Sequence, residues 1–186
     1  MNLHVAQTAP LDTAREAALS FLLSRQDANG SWRDFLLPAG LSDSWVTGYV
    51  GEALLMSCDD KNSAKAAAKR AWAFLQTMEA DNGGWSYNAT VPGDADSTLW
   101  CLRLACLLDQ ENSAAAERAF DFLARHQRPD GGICTYADEG PIRSYIGAPA
   151  SVSFAGWLQS HVCVSAAAAN LGAPQQSLIT YLLETQ

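Results

Sequence analysis

Three stretches of the sequence decide the fold: "FLLSRQDANGSW" (residues 21–32), "FLQTMEADNGGW" (74–85) and "FLARHQRPDGGI" (122–133). They superimpose without a gap. Each begins with Phe-Leu, carries Gln or Glu at the sixth position and Gly at the tenth, and ends in Trp or Ile. A fourth copy begins at "YLLETQ" (181–186). The sequence therefore predicts a structure built from repeats.

Each repeat has room for two helices, because successive copies begin 53, 48 and 59 residues apart. The stretch "DTAREAALSFLLSRQ" (12–26) predicts an amphipathic helix. The residues expected on its buried stripe are Ala14, Ala17, Ala18, Phe21 and Leu22. The glycine of each copy suits the end of this helix, since glycine accepts a positive φ without strain. The stretch "TLWCLRLACLL" (98–108) is apolar nearly all round and predicts a buried, inner helix.

Outer and inner helices in alternation predict an all-α fold, a curved array of about three and a half helical hairpins in two layers. We expect one domain over residues 1–186, with repeats at 12–59, 60–108 and 109–172 and a fourth repeat that starts at 173 and is cut at 186. Two interpretations of that cut stay open. The chain is part of a longer protein or completes its array by self-association, or it is a natural domain capped by its last helix.

Composition limits the classes of partner and location. Acids outnumber bases 20 to 12, which gives a net charge of −8 and argues against nucleic acid as a partner. No run of about 18 apolar residues and no secretory signal is evident, so we expect no transmembrane segment and a cytoplasmic location. The five cysteines form no Cys-x-x-Cys pair and are expected to be reduced, buried thiols.

The pattern Gln26-x-x-x-Gly30-x-Trp32, with Glu79-x-x-x-Gly83-Gly84-Trp85, resembles the QW repeat of squalene-hopene cyclases and other class II terpene cyclases. The resemblance spans nearly all of residues 12–186. It implies an α/α toroid, here incomplete, a fold that these cyclases share with prenyltransferase β-subunits. We expect Trp32 and Trp85 to be structural plugs of the repeat.

The segment "GGWSYNATVPGDADSTLW" (83–100) is similar to the Gly-Gly-Trp segment of the family and its acid motif Asp-x-Asp-Asp-Thr. The resemblance implies that Asp96 is the proton donor and Asp94 its neighbouring carboxylate, and that Ser97 replaces the final aspartate. Protonating an alkene requires a neutral carboxylic acid, which burial and a neighbouring carboxylate both favour. The family also uses a histidine to hydrogen-bond the catalytic aspartate, and His161 is the candidate for that role.

Carbocations formed in such a reaction are stabilised by aromatic faces. The aromatic residues expected to line the cavity are Trp45, Tyr49, Trp100 and Trp157.

Helix capping is the alternative role for the aspartates, because Asp is a preferred N-cap. The 53-residue offset between the first two copies carries Asp43 onto Asp96, so Asp96 could be a cap used twice. Asp94 then matches Leu41 and is an acid that capping does not require.

The third copy contains an insertion, "CTYADEGPIRSYIGAPASVSFAGWLQSH" (134–161), which predicts a long ordered loop that serves either as a lid or as a surface strap. His161 and Cys163 could instead be zinc ligands, similar to the zinc pair of prenyltransferase β-subunits. Two ligands do not make a zinc site, so no metal site is predicted.

These expectations favour a class II terpene cyclase-like isomerase that cyclises a linear isoprenoid or other polyene. Its partner would be a hydrophobic small molecule, and no cofactor would be needed, although Mg²⁺ could accompany a diphosphate substrate. The alternatives are a non-catalytic toroid that acts as a scaffold or binding module, and a zinc-dependent prenyltransferase β-subunit-like protein.

Overall fold

A computed structural model describes residues 9–57, 61–171 and 175–185. The repeat boundaries predicted at 59/60 and 172/173, Cys58 and the last residue, Gln186, lie outside the described residues. The elements in chain order are α1 (Ala9–Ser24), β1 (Asp34–Leu37), β2 (Gly40–Ser42), α2 (Ser44–Ser57), α3 (Lys61–Thr77), α4 (Ala95–Leu107), α5 (Ala114–Ala124), α6 (Gly140–Ile146), α7 (Ala155–Leu158), α8 (Val162–Ala168) and α9 (Gln176–Glu184).

The helices form two layers, as the sequence predicts. The inner helices α2, α4 and α8 pack side by side, and the outer helices α1, α3, α5 and α9 pack against them. Helix α4 lies in the middle of the arc and touches α2, α3, α5 and α8. Most of its residues are buried, which confirms the prediction from its apolar sequence.

Each glycine turn lies between the outer and the inner helix of one hairpin and packs against the outer helix of the next. Gly30, Gly83 and Gly131 have φ values of 96°, 89° and 90°. A Cβ atom at Gly30 would lie 2.3 Å from the carbonyl oxygen of Arg70 in α3. The equivalent approaches are from Gly83 to Arg118 in α5 and from Gly131 to Ser177 in α9. Glycine is therefore required twice over, by the positive φ and by the close approach to the next outer helix.

Trp32 and Trp85 are structural plugs, as expected. Both are buried, and their indole N–H groups donate to the carbonyl oxygens of Leu22 and Leu75 at 2.7 Å. Each indole thus satisfies a carbonyl near the end of its own outer helix while it fills the core between the layers.

The stripe predicted on α1 is wrong in part. Ala14, Ala17, Ala18 and Phe21 are exposed, and the α1 residues that pack against the core are Leu19, Leu22 and Leu23. The residues 53 positions later on α3, such as Ala67, Ala71 and Phe74, are buried because the preceding hairpin covers them. Within the described ranges no earlier hairpin lies against α1.

The insertion in the third copy folds on itself as an ordered strap. It contains α6 and α7 around a small core of Tyr136, Ile142 and Phe154. The guanidinium of Arg128 donates to the carbonyl oxygens of Leu158, Tyr136 and Ala137 and ties both ends of the strap to the end of α5.

None of the helices in the described part of the chain is both long enough and apolar enough to cross a bilayer.

Candidate active site

Asp94 is the N-cap of α4. Its side chain accepts hydrogen bonds from the backbone N–H and the hydroxyl of Ser97, each at 2.8 Å. The sequence-based assignment, in which Asp94 is the acid that capping does not require, is therefore wrong. Asp96 lies in the first turn of the helix, and the described contacts of its carboxylate are with side chains of other residues.

The hydroxyl groups of the inner helices show why the assignment failed. Thr47, Thr98 and Ser165 accept hydrogen bonds from the backbone N–H groups of Trp32, Trp85 and Ile133, each at 2.9 Å. Thr47 lies 15 residues after Trp32, whereas Thr98 lies only 13 residues after Trp85.

The loop of the first copy is therefore two residues longer than that of the second, and it contains the antiparallel β1–β2 hairpin. The 53-residue offset consequently holds only up to the tryptophan, and 51 residues separate equivalent positions of α2 and α4.

With the corrected offset, Asp96 rather than Asp94 is the acid that has no acidic counterpart in the other copies. Counting back from the hydroxyl residues, the residues at the N-cap position are Asp43, Asp94 and His161. The residues two positions further along are Trp45, Asp96 and Cys163. Asp96 therefore stands at a position that the other two copies fill without an acid, so capping by the repeat does not explain it.

A cavity of about 420 Å³ opens at the heads of the inner helices. Its lining residues are Phe35, Leu37, Trp45, Tyr87, Asp94, Asp96, Ser97, Thr135, His161, Cys163 and Val164. The structure thus brings together all three predicted acid–base residues and Trp45. Sequence reasoning missed Phe35, Tyr87 and Thr135, and it considered Cys163 only as a zinc ligand. The equivalence of Cys163 to Asp96 could have been found from the sequence with the correct offset between the copies.

The carboxyl of Asp96 is partly buried beside Trp45, whose indole N–H donates to Oδ2 at 3.1 Å. Burial raises the pKa of Asp96 above its usual value. Hydrogen bonding by the side chains of Trp45 and Trp100, and the charge of His161, act in the opposite direction on this pKa. The net direction is upward, towards the neutral acid.

Burial also raises the pKa of Asp94, to about 7. The two hydrogen bonds from Ser97 lower this pKa, and the negative charge of Asp96 adds to the rise. The cavity thus holds two carboxyl groups whose environments both favour protonation.

His161 is the N-cap residue of α8 and lines the same cavity. Its Nε2 atom is buried and has no hydrogen-bond partner among the described residues. The charge of His161 lowers the pKa of Asp96. The hydrogen bond that was expected between these two side chains stays a prediction.

The other three predicted lining residues lie outside this cavity. Tyr49 and Trp100 continue the aromatic surface away from it, with ring centroids 5.9 Å apart for Trp45–Tyr49 and 4.8 Å for Tyr49–Trp100. Trp157 lines a separate cavity of about 570 Å³ within the strap, next to Phe154. The strap keeps it there because the Trp157 carbonyl accepts hydrogen bonds from the N–H groups of Thr135 and Tyr136.

Among the described residues, no group of three or more His, Cys, Asp or Glu side chains lies close enough together to hold a metal ion. The cysteines differ in burial: Cys101 and Cys134 are buried, as predicted, Cys106 is partly buried and Cys163 is exposed. The prediction of a buried thiol is therefore wrong for Cys163, which faces the open cavity.

Comparison with known proteins supports the resemblance inferred from the repeats. No protein-family model matches the chain. The chain is 26% identical to a squalene–hopene cyclase of Zymomonas mobilis over 135 residues, which are 64% of this chain and 19% of that protein. It is 29% identical to a drimenyl diphosphate synthase of Streptantibioticus cattleyicolor over 137 residues, 69% of this chain and 25% of that protein.

Solved structures match over a larger part of the chain. A variant of the type II terpene cyclase MstE from Scytonema, in complex with geranylgeranyl dihydroxybenzoate as substrate, is 40% identical with a TM-score of 0.88. Another MstE variant, in complex with its product merosterolic acid A, is also 40% identical, with a TM-score of 0.87. Both matches cover 95% of this chain and 51% of the MstE chain.

The predicted resemblance to class II terpene cyclases and the predicted α/α-toroid fold are thereby confirmed. The chain spans about half the length of the solved relatives and a quarter or less of the curated ones.

Proposed function

We propose that the protein supplies the acid-bearing part of a class II terpene cyclase-like isomerase. The observation that carries the proposal is the position of Asp96, an acid that the repeat does not need, at the wall of a largely apolar cavity, with a pKa raised by burial. Neutral Asp96 would transfer its proton to the terminal alkene or epoxide of a linear isoprenoid and become a carboxylate. Ring closure then moves the positive charge along the chain, and loss of a proton from carbon ends the reaction with no net change in composition.

The described groups of the cavity suit this sequence of steps. Burial favours the neutral form of both Asp94 and Asp96, and the negative charge of Asp96 adds to the rise in the pKa of Asp94. Trp45 presents an aromatic ring beside the acid, which stabilises a developing cation without trapping it as a nucleophile would. No Lys or Arg side chain lies among the residues that the structure describes as lining this cavity.

The substrate class is a hydrophobic isoprenoid or related polyene, a proposal that the named ligand of MstE supports, since that ligand carries a geranylgeranyl group. We propose that the reaction requires no cofactor and that Mg²⁺ enters only with a diphosphate substrate, the kind of compound named in drimenyl diphosphate synthase. A cytoplasmic location is part of the same proposal.

Further hairpins would enclose the cavity from the side that the described residues leave open. We propose that they come from another part of a longer polypeptide or from a second copy of the chain, because the solved relatives are about twice as long. Native mass spectrometry of the purified protein distinguishes these sources. A dimer supports self-association. A monomer of the present length overturns it.

The test of the activity is incubation with linear isoprenoids in D₂O, followed by mass spectrometry of the products. The panel contains hydrocarbon, epoxide, diphosphate and prenylated aromatic substrates. We expect a cyclised product with one deuterium, lost in Asp96→Asn and retained in Asp121→Asn, which makes the same chemical change at an exposed site on α5.

If the folded protein forms no product from any of these substrates, the catalytic proposal fails for this chain. The alternative of a non-catalytic scaffold or binding module is favoured by one observation, the half-length match to the solved enzymes.

A further inference from the structure

Trp45 meets the acid of the neighbouring repeat because of where it lies in α2. It occupies the position that Asp96 occupies in α4 and Cys163 in α8, two residues before the hydroxyl that anchors each inner helix. Side chains at this position point into one cavity from all three helices. The helices α2 and α4 are also unusually close, since a Cβ atom at Gly48 would lie 2.8 Å from the carbonyl carbon of Trp100.

The contact between the two side chains has a direction. An indole N–H can only donate a hydrogen bond, so Oδ2 of Asp96, at 3.1 Å from Nε1 of Trp45, must accept. In the neutral acid the carbonyl oxygen is the better acceptor of the two. The contact therefore favours Oδ2 as the carbonyl oxygen and leaves Oδ1 to carry the proton.

The indole is itself held from two sides. It stacks on Tyr49 with an interplanar angle of 7°, and the ring of Phe35 meets it edge-on at a centroid distance of 5.5 Å. Phe35 has a φ of 51°, a conformation that costs free energy for any residue with a Cβ atom. Its carbonyl oxygen accepts a hydrogen bond from the hydroxyl of Tyr87. The β1–β2 hairpin, which the second copy lacks, thus places a ring against the indole.

Several titratable groups surround Asp96. Asp94 comes from the same helix, His161 and Cys163 come from α8, and Tyr87 comes from the loop before α4. The Trp100 side chain is a second, weaker hydrogen-bonding contributor from α4 itself. Trp45 donates its hydrogen bond to this carboxyl from a different repeat, whereas His161 acts on it from the third copy through charge.

We propose that Trp45 is the positioning residue for Asp96, fixing the orientation of its carboxyl group and the oxygen that carries the proton. The catalytic consequence of this inference, a proton aimed at the substrate, rests on the proposed function. The hydrogen bond and its effect on protonation do not, and they are measurable in a protein without any activity.

The first measurement is made on the unaltered protein labelled with ¹⁵N at the tryptophan indoles. The Nε1–H resonance of Trp45 is expected to shift with pH at the midpoint at which the ¹³C-labelled carboxyl of Asp96 titrates. The shift at that midpoint is expected to disappear in Asp96→Asn. A Trp45 resonance that does not follow the titration of Asp96 overturns the proposal, and this outcome does not depend on the folding of any variant at position 45.

The second measurement uses Trp45→Phe, which keeps an aromatic ring and removes the N–H. Loss of a hydrogen bond to the charged form is expected to raise the pKa of Asp96 by about one unit. Trp32→Phe is the matched control, because its indole N–H donates to the Leu22 carbonyl and not to the acid. An unchanged pKa of Asp96 in Trp45→Phe overturns the proposal, as does an equal rise in Trp32→Phe.

If cyclisation is observed in the unaltered protein, its kcat is expected to fall as pH rises through the pKa of Asp96. In Trp45→Phe this alkaline limb of the pH profile should move to higher pH together with that pKa. If no cyclisation is observed, the proposed function fails while the two resonance measurements still decide the role of Trp45.

Discussion

Ser97 donates two hydrogen bonds to Asp94, one from its backbone N–H to Oδ1 and one from its hydroxyl to Oδ2, both 2.8 Å long. The residue that replaces the final acid of the cyclase motif is therefore part of the cap of α4. Ser97 is almost fully buried, so its hydroxyl satisfies a carboxyl that water reaches poorly. The departure from the motif removes one negative charge from the crowded helix start and supplies a donor in its place.

Restoring an acid with Ser97→Asp is expected to destabilise the fold by about 3 kcal/mol at pH 8, because it buries an additional carboxyl beside Asp94. The loss should be smaller at pH 5, where Asp94 is protonated. Urea unfolding at both pH values measures it. Ser97→Ala, which only removes the hydroxyl, should cost about 1 kcal/mol at either pH. Equal stability of Ser97→Asp and the unaltered protein at pH 8 would show that the cap tolerates the charge.

Asp94→Asn is expected to flatten the dependence of stability on pH. The folded protein keeps a proton on Asp94 up to about pH 7, whereas the unfolded chain loses it near 3.8. The free energy of unfolding therefore falls as pH rises between these values, by up to about 1.4 kcal/mol per pH unit from this group.

Asn retains the capping oxygen, so the variant should fold. Chemical denaturation from pH 4 to 8 compares the two proteins, and parallel stability curves would contradict the assignment of this slope to Asp94.

Gly30→Ala is expected to cost about 3 kcal/mol or more, since it combines a φ of 96° with a Cβ atom 2.3 Å from the Arg70 carbonyl oxygen. Gly147→Ala is the control: Gly147 also has a positive φ, of 68°, but nothing lies within 4 Å of the added Cβ. Its cost should be about 1 kcal/mol. Thermal or urea unfolding measures both, and similar costs for the two variants would mean that the approach to α3 contributes little.

Glu52→Leu is expected to destabilise the protein by about 3–5 kcal/mol, because it leaves Arg103 as a partly buried, unpaired charge. Nε of Arg103 lies 2.9 Å from both carboxylate oxygens of Glu52, and the two side chains are 18% and 10% exposed. Combining Glu52→Leu with Arg103→Met should recover most of the loss. A double variant no more stable than the single one would indicate that Arg103 stabilises the fold through its contacts with Trp100 and the Ala167 carbonyl rather than through the ion pair.

The outer helices and their turns were predictable because each copy repeats the same chemistry in the same order. Three residues of the first copy have counterparts in the second copy with the same structural role. Gln26 contacts the next outer helix, Gly30 allows the turn after the outer helix, and Trp32 fills the core. A gapless comparison of sequences detects such repetition directly.

The inner helices were less predictable because the offset between copies changes inside a loop. The β1–β2 hairpin adds two residues to the first copy, and only the hydrogen bonds to Thr47 and Thr98 reveal the true equivalence. Because of this two-residue error, the sequence comparison assigned the cap of α4 to Asp96, whereas the N-cap in the structure is Asp94. The exposure of the apolar side of α1 and the position of Trp157 depend on contacts between distant segments, which a periodic pattern does not encode.

Because each glycine turn packs against the outer helix of the next repeat, every hairpin is stabilised by contacts with its neighbours. Helix α4 has neighbours on both flanks, whereas α1 has them on one flank within the described residues. Local opening should therefore begin at α1 and reach α4 last, so the protons of the α4 amides exchange most slowly with solvent. The acid at the start of α4 thus lies in the part of the chain that stays folded longest.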